Sequence, residues 1–552
     1  SVFGVFEDKE KEISFFLGAL TDLFTLDDFR EKVASEAEFL NISEPFESIK
    51  IKTENPVFDL SVNFLFPYQT LYSRLLARSG FYQVGGAFGY RDQLQDTLSF
   101  IETSPELCLD QIKKCASHQY FEGDVAHWWH RYLGKETGLR SRYSDDLLWL
   151  PYALTEYIDK TGNAGVLYEK EVYLSSPLLD KREKERYEEL YSHGEGTLYE
   201  HAEKAIKLAL ERGFGKHGLL KFGGGDWNDG MNAVGKNGKG ESVWLSEFCA
   251  IICFKFSKLA KTVKGEDDER YFLEIAKKLY DAVQDAFQGE WYLRGYYDDG
   301  YPLGQKGNME CEVDSLSQSF AVFMDKTFFG YVSDRSKSAL EAAFSRLYDK
   351  KTGIMKLLDP PFDDGEERPG YIKGYLPGIR ENGGQYTHAA VWAAMALLES
   401  GNTDKGLAIL ESINPAVMSL DKGFCERYLL EPYALAGDVY SHPQCTGRGG
   451  WSFYTGAAAW YKKAVLECVF GYCSSSSGFF IEPHMNEKFD GAVLSLNTNE
   501  TSYTVKYLFS DKSGIVIDGR IVETDPEKMS KYLFAFDKGN HMVDYCIKNR
   551  EE

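Results

Sequence analysis

The sequence predicts a mainly α protein, an (α/α)6 barrel of paired helices followed by a small C-terminal β-sandwich domain. Three features of the chain carry that expectation. From about Pro56 to Cys473, amphipathic helical periodicity recurs in one segment after another, with few strand-like runs between. The joints between those segments are rich in glycine and aromatic residues. After Ser474-Ser475-Ser476-Ser477-Gly478 the pattern turns to short, alternating, β-branched runs separated by Asn, Asp and Gly. About a dozen helices in sequence suit six helical hairpins closed into a barrel. An open solenoid of helix pairs is the alternative, but it calls for a fixed repeat period, and the sequence has no internal repeat.

In chain order, Ser1 to Phe6 alternate like the end of a strand and are not preceded by an initiator Met, which reads as a piece of a longer protein. Lys11 to Phe39 carries helical periodicity. Helices are then expected over Tyr68 to Ala77, Asp92 to Ser117, Asp145 to Lys160, Leu198 to Arg212, Ser246 to Thr262, Asp268 to Phe287, Ser336 to Asp349, Ala389 to Ser400 and Gly456 to Val469. Strands are expected at Gly491 to Leu496, Ser502 to Ser510 and Gly514 to Ile521. The resulting division is 1–50 for the strand end and helical linker, 51–473 for the barrel and 474–552 for the β-domain.

Composition narrows the function. A net charge of −23 over 552 residues excludes nucleic acid and anionic membrane as general partners, because both need a cationic surface. An anionic substrate is then held only by a local cluster of Arg, His or backbone N–H groups. The aromatic share of 15% exceeds what turns and surfaces need; it suits a large core, and also a sugar site, where ring faces cover pyranose C–H faces. No apolar run is long enough for a membrane helix, and the first ten residues lack the regions of a signal peptide. Ten scattered cysteines without a Cys-x-x-Cys pair read as reduced thiols in a cytoplasmic protein with no metal site.

Four stretches carry unusual chemistry. Lys221-Phe-Gly-Gly-Gly-Asp-Trp-Asn-Asp-Gly-Met-Asn232 leads three glycines into two carboxylates that bracket Trp227 and Asn228. Glycines admit tight backbone or a close ligand, and a Trp beside an acid offers a stacking face next to a proton donor. Composition alone leaves an Asx-rich capping turn equally open. Arg78 to Asp96 contains Arg91, Asp92, Gln93 and Asp96 at a helix start, either a fork for vicinal hydroxyls or a capped N-terminus. Gly378 to His388 offers Arg380, Glu381 and His388 around a glycine pair. Gly447 to Gly456 offers Arg448, Thr455 and open backbone N–H groups at a helix start, an anion site in outline. A hydrogen-bonded core imidazole is the plainer reading of His388 taken by itself. None of the glycine runs has the Gly-Lys-Ser/Thr ending or the βαβ setting of a nucleotide loop.

Together these stretches resemble glycoside hydrolase family 94. The resemblance rests on Asn63 through Tyr68-Gln69 to Asp96, the Gly-Asp-Trp-Asn-Asp-Gly-Met-Asn run and the Tyr-Thr-Gly run, and extends from about Phe58 to the end with the motifs in the family's order. The family includes the cellobiose, cellodextrin, laminaribiose, chitobiose and 1,2-β-oligoglucan phosphorylases and the C-terminal part of cyclic β-1,2-glucan synthases. It implies an N-terminal β-sandwich, largely absent here, a helical linker, the barrel and a C-terminal β-domain, in a homodimer. It also implies Asp229 as general acid, with Trp227 and its neighbour Asn228 at the donor sugar and Asp92 beside Arg91 on its hydroxyls. His388, Thr455 and Gly456 then hold phosphate, with Arg448 close by, and Tyr375 and Arg380, beside Glu381, lie near the acceptor. Arg380 stands where cellobiose phosphorylases carry Lys, and Glu431-Pro-Tyr433 is not followed by their Gln. The glycine-rich motifs are more similar to the laminaribiose, cellodextrin and 1,2-β-oligoglucan branch.

The implied reaction is inverting phosphorolysis of a β-linked gluco-oligosaccharide to α-D-glucose 1-phosphate. It uses inorganic phosphate as co-substrate and no cofactor. An inverting hydrolase needs a second carboxylate as base, whereas phosphate already is a nucleophile. A hydrolase on the same barrel, or a non-catalytic part of a glucan synthase, are the alternatives.

Overall fold

The computed structural model describes residues 46, 48–77, 87–132, 134–180, 183–498 and 500–549. The expected strand at Ser1 to Phe6, the expected helix at Lys11 to Phe39 and residues 78–86 lie outside the described residues. The main helices are α1 (56–75), α2 (Tyr90–Thr97), α3 (Pro105–Ala116), α4 (Trp149–Thr161), α5 (Leu198–Glu211) and α6 (Val243–Lys264). They continue with α7 (Glu266–Asp285), α8 (Ser315–Phe329), α9 (Asp334–Leu347), α10 (Thr387–Glu399), α11 (Thr403–Ile413) and α12 (Ala457–Lys463, prolonged by a wider turn to Val469). α2 packs on α4, α4 on α6, α6 on α8, α8 on α10, α10 on α12 and α12 back on α2, so that six helices close a ring. Outside it, α3, α5, α7, α9 and α11 each lie against a ring helix, and α1 covers α12 and α2.

The ring helices run in one sense. Arg91 and Asp92 in the first turn of α2, His388 in that of α10 and Gly456 just before α12 border one cavity. The later turns of α4, α6, α8 and α10 supply Glu156, Lys255, Lys326 and Glu399 to a smaller cavity at the other end. Parallel helices add their dipoles, which favours negative charge at the first end and positive charge at the second. Between the two ends the ring is filled by aromatic side chains. Trp392 lies 5.0 Å from Phe320, 5.6 Å from Trp460 and 6.4 Å from Trp149, ring centre to ring centre.

Local sequence explains the breaks. The single helix expected over Asp92 to Ser117 is divided, because Pro105 has no N–H to donate and instead starts α3. α1 carries Pro67 in its interior, and the turns on either side widen to accommodate the missing donor.

β1 (Ile49–Lys52) precedes α1. β2 (Ala126–Tyr132), β3 (Lys135–Ser141) and β4 (Glu185–Glu189) form an antiparallel sheet that also pairs with Phe88–Gly89. The region was expected to hold few strands. β3 and β4 escape a pattern search because charged residues stand on both faces of these strands, Glu185 and Glu189 on one side of β4 and Arg186 and Glu188 on the other, and no apolar alternation remains.

After α12 come β5 (Tyr472–Ser475), β6 (Gly478–Ile481), β7 (Val493–Asn497), β8 (Ser502–Ser510), β9 (Gly514–Ile517), β10 (Arg520–Glu523), β11 (Phe534–Ala535) and β12 (Asn540–Lys548). One sheet has the order β1-β7-β8-β12-β9-β10, with β8 and β12 parallel, and a second the order β5-β6-β11. Phe479 of the small sheet meets Tyr503 of the large one edge-on at 5.0 Å. The strand expected over Gly514 to Ile521 turns back at Asp518 and Gly519, both at positive φ, giving the β9–β10 hairpin. β1 joins this C-terminal sheet by pairing Ile49 with Leu496 and Ile51 with Leu494, so a boundary at 50/51 falls inside a strand, as does one at 473/474. All ten cysteines are free thiols, six of them buried. No helix among the described residues is long and apolar enough to cross a membrane.

Candidate active site

The loop between α5 and α6 delivers the Gly-Asp-Trp-Asn-Asp motif to the end of the ring where its helices start. Gly225 stands at φ +135°, and a Cβ there would press on the Tyr143 ring. Its carbonyl accepts bonds from the Ser144 backbone N–H and hydroxyl. The two aspartates then part company. Asp226 is fully buried and held by Arg294 through two bonds of 2.6 and 2.7 Å, with a third from Ser242 Oγ at 2.7 Å. Asn228 is buried behind the cavity, where its Oδ1 caps the next turn through Gly230 N–H. Asp229 alone of the two carboxylates reaches the cavity.

Nine of the residues singled out in the sequence border this one cavity of about 560 Å³: Arg91, Asp92, Trp227, Asp229, Arg380, Glu381, His388, Thr455 and Gly456. Three do not. Asn228 backs the loop, Tyr375 lies under the Arg380 guanidinium at 4.7 Å, and Arg448 is solvent-exposed away from the cavity. The expectation that Arg448 joins the anion site is therefore corrected, because its loop turns outward through Gly447, which has φ +87°. Cationic charge comes instead from Arg74 of α1, which sequence patterning treated as one residue of an amphipathic helix.

Asp229 Oδ2 lies 2.9 Å from Arg91 Nη2 and 3.9 Å from His127 Nε2. Its Oδ1 is buried and has no hydrogen-bond partner. Burial pushes this carboxyl above the usual carboxylate range, against the pull of Arg91 and His127. Arg91 also holds Asp145 at 2.9 Å and lies 3.7 Å from Asp146. Burial disfavours charge on His127, but Asp146 at 2.7 Å and the nearby Asp229 outweigh it, and the imidazole is pushed up to about 9. His127 is thus a cation at neutral pH.

Across the cavity, Asp92 binds Arg74 at 2.9 Å. Burial would raise this carboxyl, yet Arg74 and Arg91 hold it below its ordinary range. His388 shows the opposite balance. Burial lowers it to about 3, so it is neutral, and its Nε2 is buried without a partner. Gly456 fits beside that ring because a Cβ there would come within 2.8 Å of His388 Cε1. The Thr455 hydroxyl accepts a bond from Ala457 N–H at 3.1 Å, at the start of α12. Trp227 presents its ring edge-on to Tyr386 and His388 and rests on Trp392 at 5.2 Å.

Arg74, His127, Trp128, Tyr371, Tyr386, Trp451 and Tyr454 also line the cavity and are not among the site residues expected from sequence. A signal existed for two of them, because His127-Trp-Trp-His130 is an unusual composition just ahead of Ser144-Asp-Asp146. The cavity thus offers two carboxyls with an oxygen free of hydrogen bonds, Asp229 and Glu381, together with cations on either side, a neutral imidazole with an open nitrogen, and aromatic walls. That combination suits proton donation to a sugar oxygen beside a bound anion.

The profile of the Glycosyl hydrolase 94 superfamily, catalytic domain, matches residues 42–471. A cyclic beta-(1,2)-glucan synthase of Rhizobium meliloti is 36% identical over 92% of this chain and 18% of its own length. Solabiose phosphorylase of Paenibacillus borealis is 27% identical over 79% of this chain and 54% of its own. The 1,2-beta-oligoglucan phosphorylase of Listeria innocua is 23% identical over 79% and 41%. The chain therefore spans about half the length of these phosphorylases and less than a fifth of the synthase. A family 78 rhamnosidase of a Bacillus species shares the fold, with a TM-score of 0.52 at 11% identity over 92% of this chain and 44% of that one. With its profile match covering most of the chain, this protein belongs to the Glycosyl hydrolase 94 superfamily.

Proposed function

We propose that the protein is an inverting glycoside phosphorylase that transfers the terminal glucosyl unit of a β-linked gluco-oligosaccharide to inorganic phosphate. Asp229 gives its proton to the glycosidic oxygen as the C1–O bond breaks. A phosphate oxygen attacks C1 from the opposite face, so the products are α-D-glucose 1-phosphate and a sugar shortened by one unit. The observation that carries this reading is the place of Asp229, whose Oδ1 has no hydrogen-bond partner, beside an anion pocket of Arg74, Arg91, His388 Nε2 and the Thr455–Gly456 turn. In this reading the ring of helices is the (α/α)6 barrel, the sheets after residue 472 its β-sandwich domain, and Asp92 and Trp227 hold the donor sugar. No cofactor enters the reaction.

A hydrolase would need a second, unencumbered carboxylate to activate water. Asp92 is committed to Arg74 at 2.9 Å, and Glu381 lies 3.4 Å from the Arg380 guanidinium. The test is sugar release with and without phosphate: release that requires phosphate is expected, and equal rates would overturn the proposal. The reverse reaction, α-glucose 1-phosphate offered to glucose, sophorose, laminaribiose and cellobiose, then assigns the linkage. The β-1,2 linkage is the first to try, in view of the similarity to a cyclic beta-(1,2)-glucan synthase. The same similarity favours a second reading, in which the chain is the phosphorolytic part of a longer glucan-building protein.

A further inference from the structure

Trp128 belongs to the cavity and also to something larger. It lies on β2, and its cross-strand neighbours are Leu139 on β3 and then Tyr187 on β4. The next row on the same face is His130, Thr137 and Glu189. Side chains two apart on a strand share a face, so Trp128, His130, Leu139, Thr137 and Tyr187 form one surface.

That surface is solvent-facing. Tyr187 is 52% exposed, and Trp128, His130, Thr137 and Leu139 are half-buried. The other face of the sheet is the packed one, where Trp129 is fully buried and Glu188 bonds Tyr120. The rings of Trp128 and His130 are within 14° of parallel at 5.8 Å, and those of His130 and Tyr187 within 23° at 6.0 Å. Thr137 Oγ1 lies 2.7 Å from the Tyr187 hydroxyl and 3.2 Å from His130 Nε2, which fixes the ring orientations.

We infer that this aromatic shelf binds the sugar units of a β-linked glucan beyond those held in the cavity, making the protein's preferred substrate an oligosaccharide of several units. Three physical points lead there. The shelf begins on a residue that lines the cavity, so a chain leaving the cavity past Trp128 lies on it without crossing a gap. Near-parallel aromatic faces edged by hydroxyls match the alternating C–H faces and hydroxyl rims of glucose rings. Glu185 and Glu189 flank Tyr187 on its own strand face, which suits a neutral ligand and repels an anionic one.

The inference rests on the phosphorylase reading for the cavity, so its test separates the two. The intrinsic fluorescence of the protein is titrated, without phosphate, with β-1,2-, β-1,3- and β-1,4-linked glucopentaoses and with the corresponding disaccharides. For at least one linkage the pentasaccharide should bind at least tenfold more tightly than its disaccharide, a difference of about 1.4 kcal/mol. Tyr187→Ala should remove most of that preference and Tyr187→Phe should retain it. Tyr187 is exposed, so neither change threatens the fold. With phosphate present, the ratio of kcat/KM for the pentasaccharide to that for the disaccharide should fall in Tyr187→Ala by the same factor. Equal binding of pentasaccharide and disaccharide at every linkage overturns the shelf, as does a length preference that survives Tyr187→Ala. A length preference that is present and lost in Tyr187→Ala, with no phosphate-dependent release, keeps the shelf and overturns the phosphorylase.

Discussion

At the scale of single residues, the two carboxylates of Asp226-Trp-Asn-Asp229 show how neighbours assign roles that composition cannot. Asp226 is saturated by Arg294 and Ser242, whereas Asp229 keeps Oδ1 free. Asp229→Asn should therefore lower phosphorolysis of an ordinary sugar leaving group by about 10²- to 10⁴-fold. Release of an activated aryl leaving group, which needs no proton, should fall far less. Equal losses on both substrates would mean that Asp229 positions the sugar and does not donate the proton. The pH profile offers a second check. The acid works only while protonated, so the alkaline limb of kcat/KM follows the Asp229 pKa. Burial raises that pKa, while the Arg91 and His127 cations pull it down. His127→Asn removes one of those cations, so the alkaline limb should move to higher pH. A limb that stays in place would assign it to a different group.

At the scale of elements, the site is built from helix starts, and this decides what the sequence revealed. Loops that meet the first turns of ring helices must bend tightly and bind ligand, so they concentrate Gly, Trp and Asp, and all the motif stretches stood out for that reason. Arg74 did not, because it lies within α1 among Leu71, Leu75 and Leu76 and differs from a solvated helical arginine only in being buried. His127 and Trp128 lie on a strand whose sheet has no apolar repeat to announce it, and Arg448 sat in a motif whose backbone turns it outward. Most helix positions were recovered from their apolar periodicity, α8 and α11 being exceptions; the polar sheet was not, because β3 and β4 carry charged residues on both faces. The meeting of α10 and α12 gives a specific prediction. A Cβ at Gly456 would lie 2.8 Å from His388 Cε1, so Gly456→Ala must displace the imidazole or the helix start. The KM for phosphate should rise roughly tenfold or more, with kcat/KM for an activated glucoside measured at saturating phosphate changing much less. An unchanged phosphate KM would remove His388 and Gly456 from the anion site.

At the scale of the whole molecule, the chain closes on itself. β1 precedes the first ring-covering helix, yet it is an edge strand of the C-terminal sheet, and its Ile51 backbone also exchanges two bonds with the Asn63 side chain of α1 at 2.9 and 2.8 Å. Tyr507 of β8 donates to the Phe470 carbonyl at the end of the α12 extension, a second tie between sheet and ring. The short serine-rich joint at 474–477 is therefore no hinge, and helical and β regions share one interface. The cavity's position benefits, because α12, whose start carries Thr455 and Gly456, is anchored at its far end by that interface. Ile51 is 2% exposed between the two parts. Ile51→Ala should cost about 2–5 kcal/mol and lower the unfolding temperature of ring and sheet together. All nine tryptophans precede residue 474, so tryptophan fluorescence reports the helical region alone, and amide exchange in β8 and β12 reports the sheet. Coincident midpoints for both probes, before and after the substitution, are expected of one cooperative unit. A sheet that melts first, while the tryptophan signal of the ring stays at its original midpoint, would show two independent parts and rule out β1 as an anchor between them.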